Sequence, residues 1–261
     1  MSDAPPFAAH ADAEPIASLD LSMFGLGDAC NVVLQRSQVL FDLPRSGDLI
    51  RAHAAGDPGP LRDAVAARLE TILRRGLASL YAEYLALRED LLARAPRRVA
   101  DIGCGYAFFD LFLGQETDAQ LVLIDLESRP PEAEAGTKPF GFAEAHAAYS
   151  DLSVARAFLE ANGVEPGRVS TLNPERDDVM GLRGVDLAMS LLSCGFHYPL
   201  STYDAFWKRS VREGGTILVD LRAAEAGPQI LSLARLGAVR AVSRDGPALR
   251  VAARRMRRGL P

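Results

Sequence analysis

Two short segments of the chain carry residues whose types and spacing suit the binding of a nucleotide-like ligand. The first is a glycine turn, Gly103-Cys104-Gly105, which comes directly after the apolar run Val99–Ile102. Glycines let the backbone turn tightly and let a ligand approach where a Cβ would otherwise stand. The second is Asp125, which comes directly after the apolar run Leu121–Ile124 and about twenty positions after the glycines. A carboxylate in that place can accept hydrogen bonds from ribose hydroxyls.

The same turn argues against two common phosphate-binding motifs. A dinucleotide fingerprint has a third glycine three residues after the second, and that position is Phe108. A bulky aromatic side chain there obstructs the close packing of helix on strand that the motif uses. This disfavours a nucleotide-dependent oxidoreductase. A P-loop needs Gly-Lys-Ser/Thr after its glycines, and no such tripeptide follows here.

The elements that must position these residues alternate between strands and helices from residue 97 onward. Apolar runs predict strands over 99–102, 121–125, 169–172, 185–192 and 216–221, and helical patterns predict helices over 106–115, 150–161, 201–211 and 224–236. Residues 239–243 and 248–253 predict a final hairpin. Such alternation predicts an α/β fold with a mostly parallel sheet covered on both faces, to which the hairpin adds one antiparallel strand.

The first part of the chain has a different texture. Residues 1–20 are rich in alanine, proline and acidic residues without a period, and we expect them to form a mobile tail. Residues 21–95 are expected to form a helical appendage or cap, because apolar residues recur there every three or four positions. Gly76 is a candidate break between two of its helices. The ligand-binding domain is expected over 96–261, with an insertion at 127–149.

Composition and charge narrow the class of protein. The chain has 261 residues, of which 48% are hydrophobic, and a net charge of -5. This is an ordinary globular composition, and its acidic balance does not favour nucleic acid as a partner. No apolar run approaches the ~20 residues needed to cross a bilayer, so no membrane association is expected. Three widely spaced cysteines favour a reducing, cytoplasmic setting over a disulfide framework or a zinc site.

Residues 97–255 resemble a class I S-adenosylmethionine-dependent methyltransferase. The family's first motif is an acidic residue, an apolar residue and then spaced glycines or small residues, and here it stands as Asp101-Ile-Gly103-Cys-Gly105-Tyr-Ala107. Alanine replaces the third glycine. The family's ribose-binding acid corresponds to Asp125. The turn Glu213-Gly-Gly215 and the terminal hairpin also match the family's pattern.

The resemblance implies a Rossmann-like, doubly wound sheet that is mostly parallel, with an antiparallel C-terminal strand and the helical appendage before it. It implies S-adenosyl-L-methionine as the cofactor, held by Asp101, the turn glycines Gly103 and Gly105, and Asp125. Asn173 follows the third strand, where the family contacts adenine. Ser193 belongs to the segment after the fourth strand that lines the methionine side of the cofactor. No metal is implied.

Methyl transfer to a hydroxyl needs a nucleophile held in line at ~3 Å and a base to take its proton. His197 follows the fourth strand on the cofactor side and is the candidate base; a supporting loop histidine is the alternative. Asp220 and Arg222, at the end of the fifth strand, could hold a substrate or form an ion pair. The insertion at 127–149 carries prolines, glycines and aromatic residues, and we interpret it as a lid or pocket wall, with a surface excursion as the alternative.

We therefore expect a methyltransferase that acts on a small-molecule substrate, with a hydroxyl favoured over an amine. Asn173-Pro174 matches only the first half of the signature of amino-group methyltransferases, and it stands after the wrong strand. Two alternatives stay open. One is a protein or RNA methyltransferase served by the arginine-rich C-terminal residues, and the other is a non-catalytic regulator that binds S-adenosylmethionine. The sequence indicates neither the methyl acceptor nor the oligomeric state.

Overall fold

The structure, a computed structural model, describes residues 4–127 and 150–256. Its helices are α1 (Leu26–Gln35), α2 (Ser46–Ala54), α3 (Gly59–Ala66), α4 (Leu69–Leu92), α5 (Phe108–Glu116), α6 (Leu152–Ala161), α7 (Asp204–Arg209) and α8 (Ala226–Ala234). Its strands are β1 (Arg98–Ile102), β2 (Gln120–Ile124), β3 (Val169–Leu172), β4 (Val185–Ser190), β5 (Val211–Arg222), β6 (Gly237–Asp245) and β7 (Ala248–Arg255). Across these two ranges, no helix has the length and apolar character that a membrane span requires.

The strands of the described residues form one seven-stranded sheet in the order β3-β2-β1-β4-β5-β7-β6. Neighbours from β3 to β5 pair in parallel, whereas β7 is antiparallel to both β5 and β6. This confirms the expected doubly wound, mostly parallel sheet with an antiparallel C-terminal strand. The strand order reverses between β1 and β4, and such a switch point is where an open parallel sheet offers a crevice for ligands.

The two strands nearest the glycine turn are buried almost throughout. β1 and β2 each begin with one exposed residue, Arg98 or Gln120, and continue with four buried residues. A strand that is covered on both faces needs such a continuous apolar run. Asp101 is the exception, a charged residue within the buried part of β1 that is only 4% exposed.

A cluster of buried side chains joins the N-terminal helices to one face of the sheet. Phe24 packs edge-on against Tyr106 and Phe108, with ring centroids 5.4 and 5.7 Å away. Tyr84 of α4 packs in the same manner against Phe109, at 5.6 Å. The helices of residues 21–95 therefore cover α5 and share its core.

Four residues of the segment 4–20, Phe7, Ala11, Ile16 and Leu19, belong to the same cluster. The expectation of a mobile tail is therefore wrong for the described part of residues 1–20. Ile16 is fully buried, and Phe7 and Leu19 are nearly so. The carbonyl of Ile16 accepts a hydrogen bond of 2.6 Å from Arg74 on α4. Apolar residues are too few in this segment to show a period, but they are enough to anchor it.

The apolar stripe of residues 61–91 forms two helices, α3 and α4, but Gly76 does not break them. The break falls at Ala67–Arg68, and Gly76 lies inside α4. A Cβ at Gly76 would stand 2.7 Å from Cγ1 of Val32 and 3.2 Å from the ring of Phe108. Gly76 thus allows α4 to approach α1 and α5 closely, which a pattern within one helix does not reveal.

Candidate functional site

The glycine turn joins β1 to α5 at the carboxyl ends of the parallel strands. Gly103 and Gly105 have φ angles of +76° and +58°, a region that glycine enters without the steric cost of a Cβ. The amide of Gly103 donates a hydrogen bond of 2.7 Å to the carbonyl of Ile124, which ties the turn to β2. Ala107 takes the place of the third glycine and also has a positive φ, +57°, so it carries strain that glycine would avoid.

Asp125 lies at the tip of β2, in contact with the turn. Its Oδ2 accepts hydrogen bonds from the Gly105 amide at 2.7 Å and from Ser150 Oγ at 3.0 Å, and its Oδ1 accepts one from the Leu126 amide at 2.7 Å. A carboxylate offers about four acceptor positions, so within the described residues one position on Oδ1 is unclaimed. Burial raises the pKa of Asp125 to about 6, although these three bonds oppose the change.

The segment after β4 packs directly against the turn. A Cβ at Gly103 would collide with the side chain of Ser193, and the oxygens of Ser193 and Tyr198 are hydrogen-bonded at 3.1 Å. Ser190 Oγ donates to the carbonyl of Ile102 at 2.7 Å, which ties the end of β4 to the end of β1. Gly103 is therefore required both for its φ angle and for the close approach of Ser193.

Asp101 faces a second carboxyl that sequence reasoning missed. Asp110, in the first turn of α5, is 1% exposed and lies close enough to Asp101 for the two carboxyls to shift each other's pKa. Burial and the nearby charge of Asp110 raise the pKa of Asp101 well above its ordinary value. Burial also raises the pKa of Asp110, to about 6. The sequence feature that could have indicated a buried Asp110 is its position as the one acidic residue within the apolar run Phe108–Leu113.

Asn173 is buried after β3, and its side chain holds the loop that follows. Its Oδ1 accepts a hydrogen bond of 3.0 Å from the Glu175 amide, and its Nδ2 donates one of 3.2 Å to Glu127. Glu127 also pairs with Arg176 at 2.5 Å. Because Glu127 lies two residues beyond Asp125, the structure brings Asn173 to the same end of the sheet as the turn.

His197 lies in the loop after β4 and is exposed. Its ring packs edge-on against Phe196, with centroids 5.1 Å apart. Partial desolvation, together with the positive charge of Arg222, lowers the pKa of His197. The imidazole is therefore neutral near pH 7 and able to accept a proton. Residues 128–149, for which we predict a lid or pocket wall, lie outside the described residues.

The N-terminal helix α1 contributes side chains that the sequence pattern did not indicate. The Tyr106 hydroxyl, in the turn, donates to Asp28 at 2.7 Å and accepts from Asn31 at 3.1 Å. A Cβ at Gly105 would stand 3.4 Å from Oε1 of Gln35. Asp28, Asn31 and Gln35 are spaced by three and four residues and so share one face of the helix. The turn thus packs against α1 as well as against the tip of β2.

Asp220, near the carboxyl end of β5, is held in an ion pair. It accepts hydrogen bonds from Arg250 at 2.7 and 2.8 Å and from the Leu192 amide at 3.1 Å. Arg250 continues to Glu83 at 2.6 Å, and Glu83 accepts from Arg36 at 2.6 Å. Asp220 is therefore in an ion pair, but its partner is Arg250 on β7 rather than the expected Arg222. Arg222 instead donates a hydrogen bond of 3.1 Å to the carbonyl of Phe196.

No protein-family model and no curated protein matches the chain. Among solved structures it is similar to the S-adenosylmethionine-dependent methyltransferase SibL, with 18% identity over 87% of this chain and 74% of that one and a TM-score of 0.48. It is also similar to the O-methyltransferase TomG from Streptomyces achromogenes, with 17% identity, coverage of 66% and 78%, and a TM-score of 0.45. A ribosomal protein methylase from Lactobacillus delbrueckii subsp. bulgaricus gives 12% identity, coverage of 66% and 76%, and a TM-score of 0.47. Likenesses this distant carry no argument about activity, and the fold rests on the strand order itself.

Proposed function

We propose that this chain is a class I S-adenosylmethionine-dependent methyltransferase that acts on a hydroxyl group of a small molecule. The observation that carries the proposal is the contact between the Asp125 carboxylate and the Gly105 amide, across the ends of β2 and β1. A glycine turn and a carboxylate joined in this way stand where open parallel sheets bind nucleosides. The unclaimed acceptor position on Asp125 suits a ribose hydroxyl.

The other residues around the turn fit the cofactor in chemical type. Asp101 has a buried oxygen that no donor satisfies, and it would attract the positively charged amino group of the methionine part. Asn173 would shape the adenine side at the end of β3, and Ser193 the methionine side after β4. The turn from Gly103 to Gly105 would present backbone to the ligand. When bound, the cofactor supplies a methyl group on a sulfonium, ready for attack by a nucleophile.

A neutral histidine in the loop after β4 supports the choice of a hydroxyl acceptor. A hydroxyl must lose its proton as it attacks, so it benefits from a base in the transition state. His197 would accept that proton, because its lowered pKa keeps the imidazole neutral near pH 7. Tyr198 stands next to it, but burial raises the pKa of its hydroxyl well above the ordinary value, so it would pack rather than react.

Calorimetric titration tests the cofactor assignment without knowledge of the acceptor. Wild-type protein is expected to bind S-adenosylmethionine and S-adenosylhomocysteine and not to bind a nicotinamide dinucleotide. Asp125→Ala is expected to weaken S-adenosylhomocysteine binding about ten- to hundredfold, because a hydrogen bond to a charged group contributes ~1.5–3 kcal/mol. Asp125→Asn is expected to lose less, since one acceptor remains. Asp118→Ala, which removes an exposed carboxylate just beyond α5, is the matched control and is expected to bind normally.

Two results would contradict the proposal. One is wild-type protein that binds neither cofactor form, and the other is an Asp125→Ala protein, folded by circular dichroism, with unchanged affinity. Incubation of wild-type protein with a metabolite extract and methyl-labelled S-adenosylmethionine then separates a catalyst from a regulator. A regulator binds the cofactor without transferring the label.

A further inference from the structure

We infer that Asp101 and Asp110 hold one proton between them in the free protein and release it when a positively charged amino group binds beside the glycine turn. The inference deepens the proposed function and rests on it, because the amino group is that of the cofactor's methionine part. It makes cofactor affinity depend on pH through two residues that flank the turn. It also assigns a role to Asp110, which lies on α5 outside the cofactor motif.

The geometry of the pair requires a proton. Asp101 is two residues before Gly103, and Asp110 is the third residue of α5. The two residues therefore lie on either side of the glycine turn along the chain. Oδ1 of Asp101 and both carboxyl oxygens of Asp110 are buried without a hydrogen-bond donor. Buried polar atoms of this kind are strongly disfavoured. A proton on one carboxyl turns the contact into a hydrogen bond and removes one of the two charges.

The surroundings of the pair supply no compensating cation. Among the described residues, Asp125 at the tip of β2 is the charged group outside the pair that shifts the pKa of either carboxyl, and no Arg, Lys or His contributes. Burial, with the three neighbouring carboxyls, raises the pKa of the Cys104 thiol, so it is neutral. On the α4 side, Tyr84 packs against Phe109, and burial raises the pKa of its phenol as well.

The proton resides on Asp101 in the free protein. Asp110 lies in the first turn of α5, and the N-terminus of a helix favours negative charge. The Asp101 O–H therefore donates to the Asp110 carboxylate. When an ammonium group approaches Asp101, the O–H bond of Asp101 breaks, its electrons stay on the carboxylate, and the proton leaves to solvent. The net charge of the carboxyl pair is minus one without a ligand, and the pair and the ammonium together also carry minus one, so binding leaves it unchanged.

Two ligands that differ only in the amino-acid part isolate this effect. S-adenosylhomocysteine carries the ammonium, whereas 5′-methylthioadenosine has the same ribose and adenine without it. Asp125 faces the ribose in both cases, so its titration cancels in the ratio of the two affinities. Between about pH 5 and pH 7.5, below the ordinary α-amino pKa of about 7.7–8.0, the affinity for S-adenosylhomocysteine relative to 5′-methylthioadenosine is expected to rise by up to tenfold per pH unit.

Calorimetry in two buffers of different ionisation enthalpy counts the proton directly. Wild-type protein is expected to release about one more proton with S-adenosylhomocysteine than with 5′-methylthioadenosine. In Asp110→Asn the side-chain amide donates to Asp101 and keeps it ionised, so both the extra proton and the slope of the ratio are expected to vanish. Asp118→Asn makes the same chemical change at an exposed site and is expected to keep both.

The outcomes separate the inference from the function on which it rests. If S-adenosylhomocysteine binds to wild-type protein with no extra proton and a flat ratio, the inference is overturned and the cofactor assignment stands. If neither ligand binds, the proposed function fails and the inference fails with it. Should Asp110→Asn not fold, the proton count of the wild-type protein decides.

Discussion

Glu83 on α4 and Arg250 on β7 form an ion pair, 2.6 Å between oxygen and nitrogen, that joins the N-terminal helices to the sheet. Each residue has a further partner: Glu83 pairs with Arg36 and Arg250 pairs with Asp220. The four charges balance, and Asp220 in turn holds the amide of Leu192. Because Leu192 immediately precedes Ser193, the N-terminal helices help to place the loop that packs on the glycine turn.

Glu83→Gln is expected to destabilise the protein, because it leaves two arginines without their shared carboxylate. Removing one member of a buried ion pair costs about 3–5 kcal/mol, and the 24% exposure of Glu83 places the expected loss toward or below the lower end of that range. Urea unfolding at pH 7 measures it. Glu89→Gln, at an exposed position on the same helix, is the control and is expected to unfold like the wild type.

The same variant is expected to reveal a pH dependence. Burial acts to raise the pKa of Glu83, but Arg36 and Arg250 together outweigh it and lower the pKa. A carboxyl with a lowered pKa in the folded state adds stability above its unfolded pKa, about 4.3, and that stability disappears as the pH falls through the folded value. The difference between wild type and Glu83→Gln should therefore shrink on acidification below about pH 4. A difference that does not change with pH would contradict this assignment.

Gly76→Ala is expected to destabilise the protein although alanine favours helices. The new Cβ would stand 2.7 Å from Val32, and overpacking of this kind costs about 1–3 kcal/mol, against about 1 kcal/mol gained in helix propensity. Thermal unfolding measures the net change. Gly27→Ala, in α1 with open space around the new methyl group, is the control and is expected to be stabilising.

A double variant checks the cause of that loss. Val32→Ala removes the atom that the new Cβ would meet, so the cost of Gly76→Ala is expected to fall in the Val32→Ala background. The coupling energy of the double-mutant cycle reports this relief directly. Strictly additive effects of the two substitutions would show that the loss arises elsewhere.

Ala107 is expected to tolerate glycine and to reject valine. Its φ of +57° costs an L-residue roughly 1–2 kcal/mol, which glycine would recover against about 0.5–1 kcal/mol of backbone entropy. Ala107→Gly is therefore expected to raise the free energy of unfolding by between about 0 and about 1.5 kcal/mol. Ala107→Val adds a branched side chain at a fully buried position and is expected to destabilise. A stable valine variant would mean that the turn can adopt another backbone conformation.

His197→Ala is expected to lower turnover by ~10²–10⁴-fold, as loss of a general base does, while S-adenosylhomocysteine affinity stays near that of the wild type. Wild-type turnover is expected to rise with pH through a value below the ordinary histidine pKa of about 6.5, because the pKa of His197 is lowered. His10→Ala, which removes a ring packed against Tyr81, is the control. Undiminished turnover in folded His197→Ala protein would give this residue a supporting role only.

Patterns within short segments of the sequence were enough to predict the strands and the glycine turn that form the site. An apolar run followed by spaced glycines predicts β1 and its turn, and a second run ending in an acid predicts the tip of β2. Both predictions use residues that are adjacent along the chain, and the contact of Asp125 with Gly105 follows from the pairing of consecutive parallel strands. The final hairpin was predicted for the same reason, from two short runs about a turn.

Contacts between distant segments could not be predicted in this way. Glu83 and Arg250 are 167 positions apart, and nothing in the neighbourhood of either residue indicates the other. The fifth strand was expected to begin at residue 216, but β5 begins at Val211, so that Gly214 and Gly215 lie inside it rather than before it. There, Gly214 has a φ of +75°, and the pairing of β5 with β4 shifts register, an irregularity that only the folded sheet makes visible.

The position of β7 in the sheet determines when some of the native strand pairings can form during synthesis of the chain. The ribosome makes β5 and β6 before β7, yet β7 lies between them and pairs with both. β6 is made before β7, but it can take its native place in the sheet only after β7 has been synthesised. Arg250, the partner that the N-terminal helices need on the sheet, is itself on β7. The ion pair between Glu83 and Arg250 therefore also forms only after β7 has been synthesised.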